Sequence, residues 1–380
     1  MLARPARRFR NFVAAGSRLE TRLQPRAQFT AIWQSDGFYE RKFLMRAFGP
    51  YISEHILDGK HEIVLDNSIL IDGFIYSQDP SYYAKFDGKN AFLIQVGDEY
   101  FELGVSVYKH FRGVFRTNWS SVFNPKHVVV IPNGFSIDPP ETLIRATDRK
   151  YAWSFVGEAG KSSRPDMVRN LSTIEPHICF SSTPVGGVAF FDRGPAGKRR
   201  IPKEDFVEIL RQSAFAPAPM GNASLESVRL YDALESGAIP IVERRLTLDY
   251  FKGFLGKHPL PTVDSWSEGR RLITRFLNDP AQLDALQHEC ISWWKEYQGK
   301  LIDRIGELLE ERSQGHDVLV PLKSHAPELP LWQYVELARH HNLSAMGRRL
   351  TLQISRLIHK KGWRIAHRKG KAIVPNSHDQ

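Results

Sequence analysis

Cysteine is nearly absent. Only Cys179 and Cys290 occur in 380 residues, so no disulfide framework and no Cys-x-x-Cys motif can be built, and a reducing compartment suits the chain. Long apolar runs are missing too. The longest purely aliphatic stretch is Val128–Ile131, far short of the roughly 18–20 residues of a spanning helix. Arg4, Arg7, Arg8 and Arg10 precede only a weak apolar patch, Phe12–Ala15, without the roughly 7–15-residue apolar core of a secretory signal. The Asn-x-Ser triplets at Asn118, Asn170, Asn222 and Asn342 are accordingly read as chance matches. No Asp-x-Asp pair occurs, and the histidines, His340-His341 included, show no ligand spacing with Cys or carboxylates. No metal is therefore expected. Extremes of composition are absent as well: 42% hydrophobic and 25% charged residues exclude a collagen-like or wholly disordered chain, and the length suits about two or three domains.

Positive charge is present but uneven. The formal net charge is +10, yet residues 1–30 hold seven Arg against one Glu, and residues 337–371 hold ten Lys or Arg and no acid. The body between is mildly acidic. A nucleic-acid protein usually carries its basic stripe on a folded domain, so no nucleic acid is expected as a partner. Basic ends suit solvated tails or an anionic membrane surface.

The pattern along the chain gives two α/β halves. Phe29–Trp33 reads as a strand, followed by the polar turn Gln34-Ser35-Asp36-Gly37 and a helical pattern (Phe38, Phe43, Leu44, Ala47, Phe48). Further strands are expected at 62–65, 68–74, 91–96 and 128–131. After Pro139-Pro140 the second half restarts with a strand at 151–156 and a helix at 166–171. Strands at 177–180, 188–191, 213–219 and 238–242 alternate with helices at 203–212 and 225–236, and 254–314 reads mostly helical. Alternating strands and helices favour parallel sheets covered on both faces, whose ligands sit at the carboxyl ends of the strands.

Two segments are candidates for anion binding. In Gly157-Glu158-Ala159-Gly160-Lys161-Ser162-Ser163-Arg164, a glycine turn between strand and helix offers backbone N–H groups to an anion, and Lys161 and Arg164 add charge. A nucleotide-hydrolysing P-loop would need Gly where Phe155 stands, so that reading fails. The second segment, 213–245, again runs strand, glycine loop, helix, Gly stop, strand. Ser224 is the expected N-cap. Arg229 and Asp232, three apart, share a helical face; they suit a cation toward a diphosphate and a carboxylate toward a ribose, or a solvated salt bridge.

The run Ser227-Val228-Arg229-Leu230-Tyr231-Asp232-Ala233-Leu234-Glu235-Ser236-Gly237-Ala238-Ile239-Pro240-Ile241-Val242 resembles the signature of exostosin-like glycosyltransferases. Phe115-Arg116-Thr117-Asn118-Trp119 followed by Val130–Phe135 is similar to the ribitol xylosyltransferase branch of that family. The resemblance covers about residues 110–245, and Glu226 departs from it by standing where small polar residues are common.

The resemblance implies an α/β, GT-B-like fold: two Rossmann-like domains facing a central cleft, with a helical C-terminal extension. The expected division is a basic segment 1–26, an acceptor-side domain 27–143, a nucleotide-sugar domain 144–326 and a basic helical extension 327–380. It further implies transfer of a sugar, UDP-linked and with inversion, to a hydroxyl of a surface-glycan or lipid-linked acceptor. Arg229 would meet the diphosphate and Asp232 the ribose, with Ser227, Gly157, Gly160, Lys161 and Arg164 lining the donor cleft. Absence of Asp-x-Asp agrees with GT-B, where cations and helix dipoles neutralise the leaving group; no cofactor is expected beside the donor. Inversion needs one base, for which Asp36 is the first candidate and Asp72 and His110 the alternatives. A non-catalytic nucleotide- or glycan-binding protein on the same fold is the second reading.

Leu350, Ile354, Leu357, Ile358 and Ile365 fall near one helical face among Arg and Lys residues, with Trp363 beside them. A basic amphipathic helix of this kind suits an anionic membrane, and equally a terminal helix that packs back on the first domain. The expected location is cytoplasmic, peripheral at the inner membrane surface.

Overall fold

The structure is a computed structural model that describes residues 28–73, 80–99, 105–181, 201–221, 224–245, 249–315 and 319–323. The basic segment 1–26, the strand expected at 188–191 and the extension 327–380, with its amphipathic stretch, lie outside the described residues.

The first half comprises β1 (Phe29–Trp33), α1 (Arg41–Phe48), β2 (Ile52–Leu57), β3 (Ser68–Gly73), α2 (Pro80–Ala84), β4 (Ala91–Val96), β5 (Gly113–Arg116) and β6 (Val128–Val130). Its sheet has the order β2-β1-β3-β4-β5-β6 and is parallel throughout. β3 and β4 are buried at every residue; each carries an apolar centre, at 69–71 and 91–94, as interior parallel strands do, followed by the buried polar Asp72 and Gln95. The edge strand β2 is largely exposed and polar. The strand expected at 62–65 does not form: the Glu62 and Ile63 N–H groups donate to the Asp58 carboxylate, at 3.1 and 2.8 Å.

The second half comprises β7 (Tyr151–Gly157), α3 (Arg164–Leu171), β8 (His177–Ser181), α4 (Lys203–Arg211), β9 (Ser213–Pro217), α5 (Val228–Ser236), β10 (Ile239–Glu243), α6 (Tyr250–Leu255), β11 (Thr262–Val263), α7 (Trp266–Leu277) and α8 (Pro280–Gln314). Its parallel sheet runs β8-β7-β9-β10-β11. Both halves thus follow one doubly wound order, reversing direction between β1 and β3 and between β7 and β9. Crevices for ligands open at such reversals. α5 begins at Ser227, not at the expected Ser224, whose Oγ instead accepts the Glu226 N–H at 3.1 Å. It stops at Gly237, φ +75°, where an added Cβ would lie 2.3 Å from Leu143.

α8, 35 residues and therefore about 52 Å long, joins the halves. Near its start Gln287 donates to the Gly237 carbonyl and accepts from the Ala146 N–H, both at 2.8 Å. Further on, Tyr51 of the first half donates to the Ile302 carbonyl at 2.9 Å, and Arg312 donates to the Arg112 carbonyl at 2.8 Å. Leu322 then forms a bridge with Phe123. The end of α8 from about residue 301, and residues 319–323, expected in the second half, pack on the first. α8 thus crosses from the second half to the first. Two parallel-sheet α/β halves around a cleft make the fold GT-B-like.

Candidate functional site

A cavity of about 1200 Å³ lies between the halves, at the carboxyl ends of both sheets. One wall belongs to the first half: Tyr39 and Glu40 from the β1–α1 turn, Arg41 and Lys42 at the start of α1, Gly97 and Glu99 after β4, Asn133 and Ser136 after β6. The other is built by Gly157–Arg164, the end of β8, the start of α4 and the start of α5.

Burial and close packing shape this second wall. Arg229 donates through Nε to the Val156 carbonyl at 3.1 Å and lies 5.1 Å from the Phe155 ring centroid. Its guanidinium rests on Gly157, φ +148°; a Cβ there would stand 2.1 Å from Arg229 Nη2. Only glycine satisfies both the backbone and the contact. Arg164 lies 5.9 Å from the same ring and donates to the Met220 and Glu158 carbonyls, at 3.2 and 2.8 Å. Burial, and then the Arg229 charge, lowers its pKa to about 9. Burial likewise lowers that of Arg229. Two adjacent, desolvated guanidinium groups gain from an anion placed between them. Ser227, the N-cap of α5, has a buried Oγ without a partner.

A network fixes the loops beneath. Glu243, at the end of β10, accepts from Ser163 Oγ at 2.7 Å and from the Met220 N–H at 2.8 Å. Ser162, φ +53°, donates to the Gly221 carbonyl at 2.6 Å. The β7 and β9 loops are thereby tied to each other.

On the facing wall Glu40 is the N-cap residue of α1. Burial raises its pKa, and the Glu99 carboxylate raises it further. A carboxyl that holds its proton more tightly than usual, in a cleft, is suited to general base or acid work.

Of the residues singled out in the sequence, Gly157, Lys161, Arg164, Ser227 and Arg229 line the cavity. Gly160 is exposed beside it. Asp232 is wholly buried and is not among the residues that line the cavity. Its Oδ1 accepts from the Ser136 N–H at 2.8 Å and from Ser136 Oγ at 3.4 Å, and its Oδ2 from Tyr39 OH at 3.0 Å. Arg229 and Asp232 therefore serve different neighbours and do not form the solvated pair that their spacing allows. Asp36 is exposed on the turn after β1 and takes no part in the lining. Asp72 is buried under Tyr83, which donates to it. His110 pairs with Asp87 at 2.7 Å, outside the cavity.

Glu40, Tyr39, Glu99, Ser136 and Lys203 also line the cavity and were not singled out in the sequence. For Glu40 a signal existed: it stands where the helical pattern after β1 begins, the place at which a carboxylate meets a helix N-terminus. Among the described residues no three His, Cys, Asp or Glu side chains converge as metal ligands, and no helix is long and apolar enough to cross a membrane.

No family model and no curated protein matches the chain. Solved structures similar to it include an α1,3-fucosyltransferase, 11% identical, aligned over 77% of this chain and 92% of that one, with a TM-score of 0.46. The pneumococcal O-GlcNAc transferase GtfA, in complex with UDP and GlcNAc, is 11% identical over 65% of this chain and 57% of that one, TM-score 0.40. A T4 phage BGT in complex with UDP and Mn2+ is 9% identical over 74% and 99%, TM-score 0.37.

Proposed function

We propose that the chain is a glycosyltransferase that moves a sugar from a nucleoside-diphosphate donor, UDP-linked, to an acceptor hydroxyl, with inversion and without a metal ion. The observation that carries this reading is the cleft itself: paired arginines on one wall and the Glu40 carboxyl on the other. Arg229 and Arg164, set against Phe155 and Gly157, would hold the diphosphate and stabilise the charge that develops as it leaves. Glu40 would take the proton of the acceptor hydroxyl, replacing Asp36 as the candidate base. A single base on the wall opposite the leaving group is the arrangement inversion requires.

Cations supply the neutralisation that a metal would otherwise give: Arg41, Lys42, Lys161, Arg164, Lys203 and Arg229 all line the cavity. The exostosin-like resemblance of 227–242 supports the same reading, with a glycan or lipid-linked acceptor. The basic stretch 337–371 suits contact with an anionic membrane surface, where such acceptors reside.

The test is transfer of labelled sugar from a panel of UDP-, GDP-, CMP- and TDP-sugars, with and without excess chelator. Turnover with a UDP-sugar, equal in chelator, is expected. Activity lost in chelator and restored by manganese or magnesium would overturn the metal-free mechanism. Donor binding without turnover would favour a binding protein.

A further inference from the structure

We infer that Asp232 is a positioning residue that couples the donor-side helix α5 to the Tyr39–Glu40 turn across the cleft. The inference rests on the reading of that cleft as a site of sugar transfer. Asp232 is 0% exposed, and its carboxylate collects donors from two separate segments of the first half, Tyr39 in the β1–α1 turn and Ser136 after β6. A ribose could reach it only by displacing these bonds.

Its connections run outward to four parts of the cavity wall. Tyr39 lines the cavity and immediately precedes Glu40 in the chain. Ser136 lines it too, and its carbonyl accepts from Lys203 Nζ at 2.9 Å. Arg229 stands three residues before Asp232 on α5, on the same helical face, since residues three apart are neighbours on a helix. A rigid helix turn thus separates the guanidinium beside Gly157 from the carboxylate that holds Tyr39. Movement of α5 on engaging a diphosphate would carry the Tyr39–Glu40 turn with it. The acceptor proton then meets its base only when the donor half is seated.

The experiment compares Tyr39→Phe, which deletes one O–H, and Asp232→Asn in the full chain. UDP affinity is read by titration calorimetry, kcat at saturating substrates, and amide hydrogen exchange in the protein alone. Both variants should hold the UDP Kd within about twofold and lower kcat about 10- to 100-fold, the cost of a small misplacement of reacting groups. Exchange should quicken in 38–45 and, for Asp232→Asn, in 131–137, while 157–164 stays as in the wild type. A weakened UDP Kd in Asp232→Asn with Tyr39→Phe silent would overturn the proposal in favour of a ribose contact. Exchange unchanged in both variants would overturn it as well. Should the wild type transfer no sugar, the functional reading fails, and exchange alone decides the coupling.

Discussion

Glu226 occupies the junction of the two halves. Its carboxyl accepts from the Asn133 N–H at 2.7 Å, from Tyr231 OH at 2.5 Å and from Tyr250 OH at 2.9 Å. Burial pushes its pKa up to about 7, and that of Asp72 to about 7 as well. Both groups hold a proton more tightly folded than unfolded. The folded state therefore binds more protons between about pH 4 and 7, and their contribution to stability is lost as pH rises through that window. Each pKa unit corresponds to about 1.4 kcal/mol, so each group should contribute on the order of 1–3 kcal/mol of pH dependence. Thermal unfolding at pH 5 and pH 8 is expected to show a smaller pH difference for Glu226→Gln and Asp72→Asn than for the wild type; curves parallel to the wild type would contradict it. Arg229→Ala should weaken UDP binding about 10- to 150-fold, the worth of a charge-assisted contact, as read by calorimetry. The roles of single residues were only half legible in the sequence. That Arg229, Gly157 and Arg164 lie on the cavity wall was legible because a glycine turn and a helix start are local features. That Asp232 and Asp36 stand off the cavity wall was not legible, because their surroundings depend on the other half of the molecule and on which side of a turn faces the cleft.

At the scale of elements, β7 with its loop and α5 form the working unit, and Gly157 is their point of contact. Gly157→Ala would put a methyl group into the Arg229 guanidinium at a φ that side chains avoid. The expected outcome is a UDP affinity weakened about 10- to 150-fold, as in Arg229→Ala, with the fold kept, checked by calorimetry beside circular dichroism; retained affinity would mean that Arg229 does not hold the donor where it now lies. Most elements could be read from the sequence because interior parallel strands have apolar centres and their boundaries carry Gly or Pro, as at Gly73, Pro132 and Gly237. β2 and β5 could not. β2 is an exposed edge strand with Ser53, Glu54 and His55 at its centre. β5 is four residues long and contains Gly113 and a buried Arg116, so neither length nor polarity announced it. The helix start at Ser227 was displaced from Ser224 because the Ser224 hydroxyl is engaged with the Glu226 N–H.

At the scale of the whole molecule, the cleft is held between α8, which spans both halves, and the acidic residues of α5 and its approach. Glu226, Asp232 and Glu235 each bond to the first half, through Asn133, through Tyr39 and Ser136, and through Arg46 at 2.8 Å. The GT-B-like plan was legible from the alternation of strands and helices and from the 227–242 run. The return of the end of α8 to the first half was not, since an amphipathic helix does not record which of two cores it covers. The most direct measurement is the transfer rate of Glu40→Gln at saturating UDP-sugar, alongside its UDP Kd. The expected result is a Kd within about twofold of wild type and a kcat lowered about 10²- to 10⁴-fold, the usual contribution of a general base. A Glu40→Gln protein that transfers sugar at the wild-type rate would contradict the assignment of base and leaving-group wall on which the proposed mechanism stands.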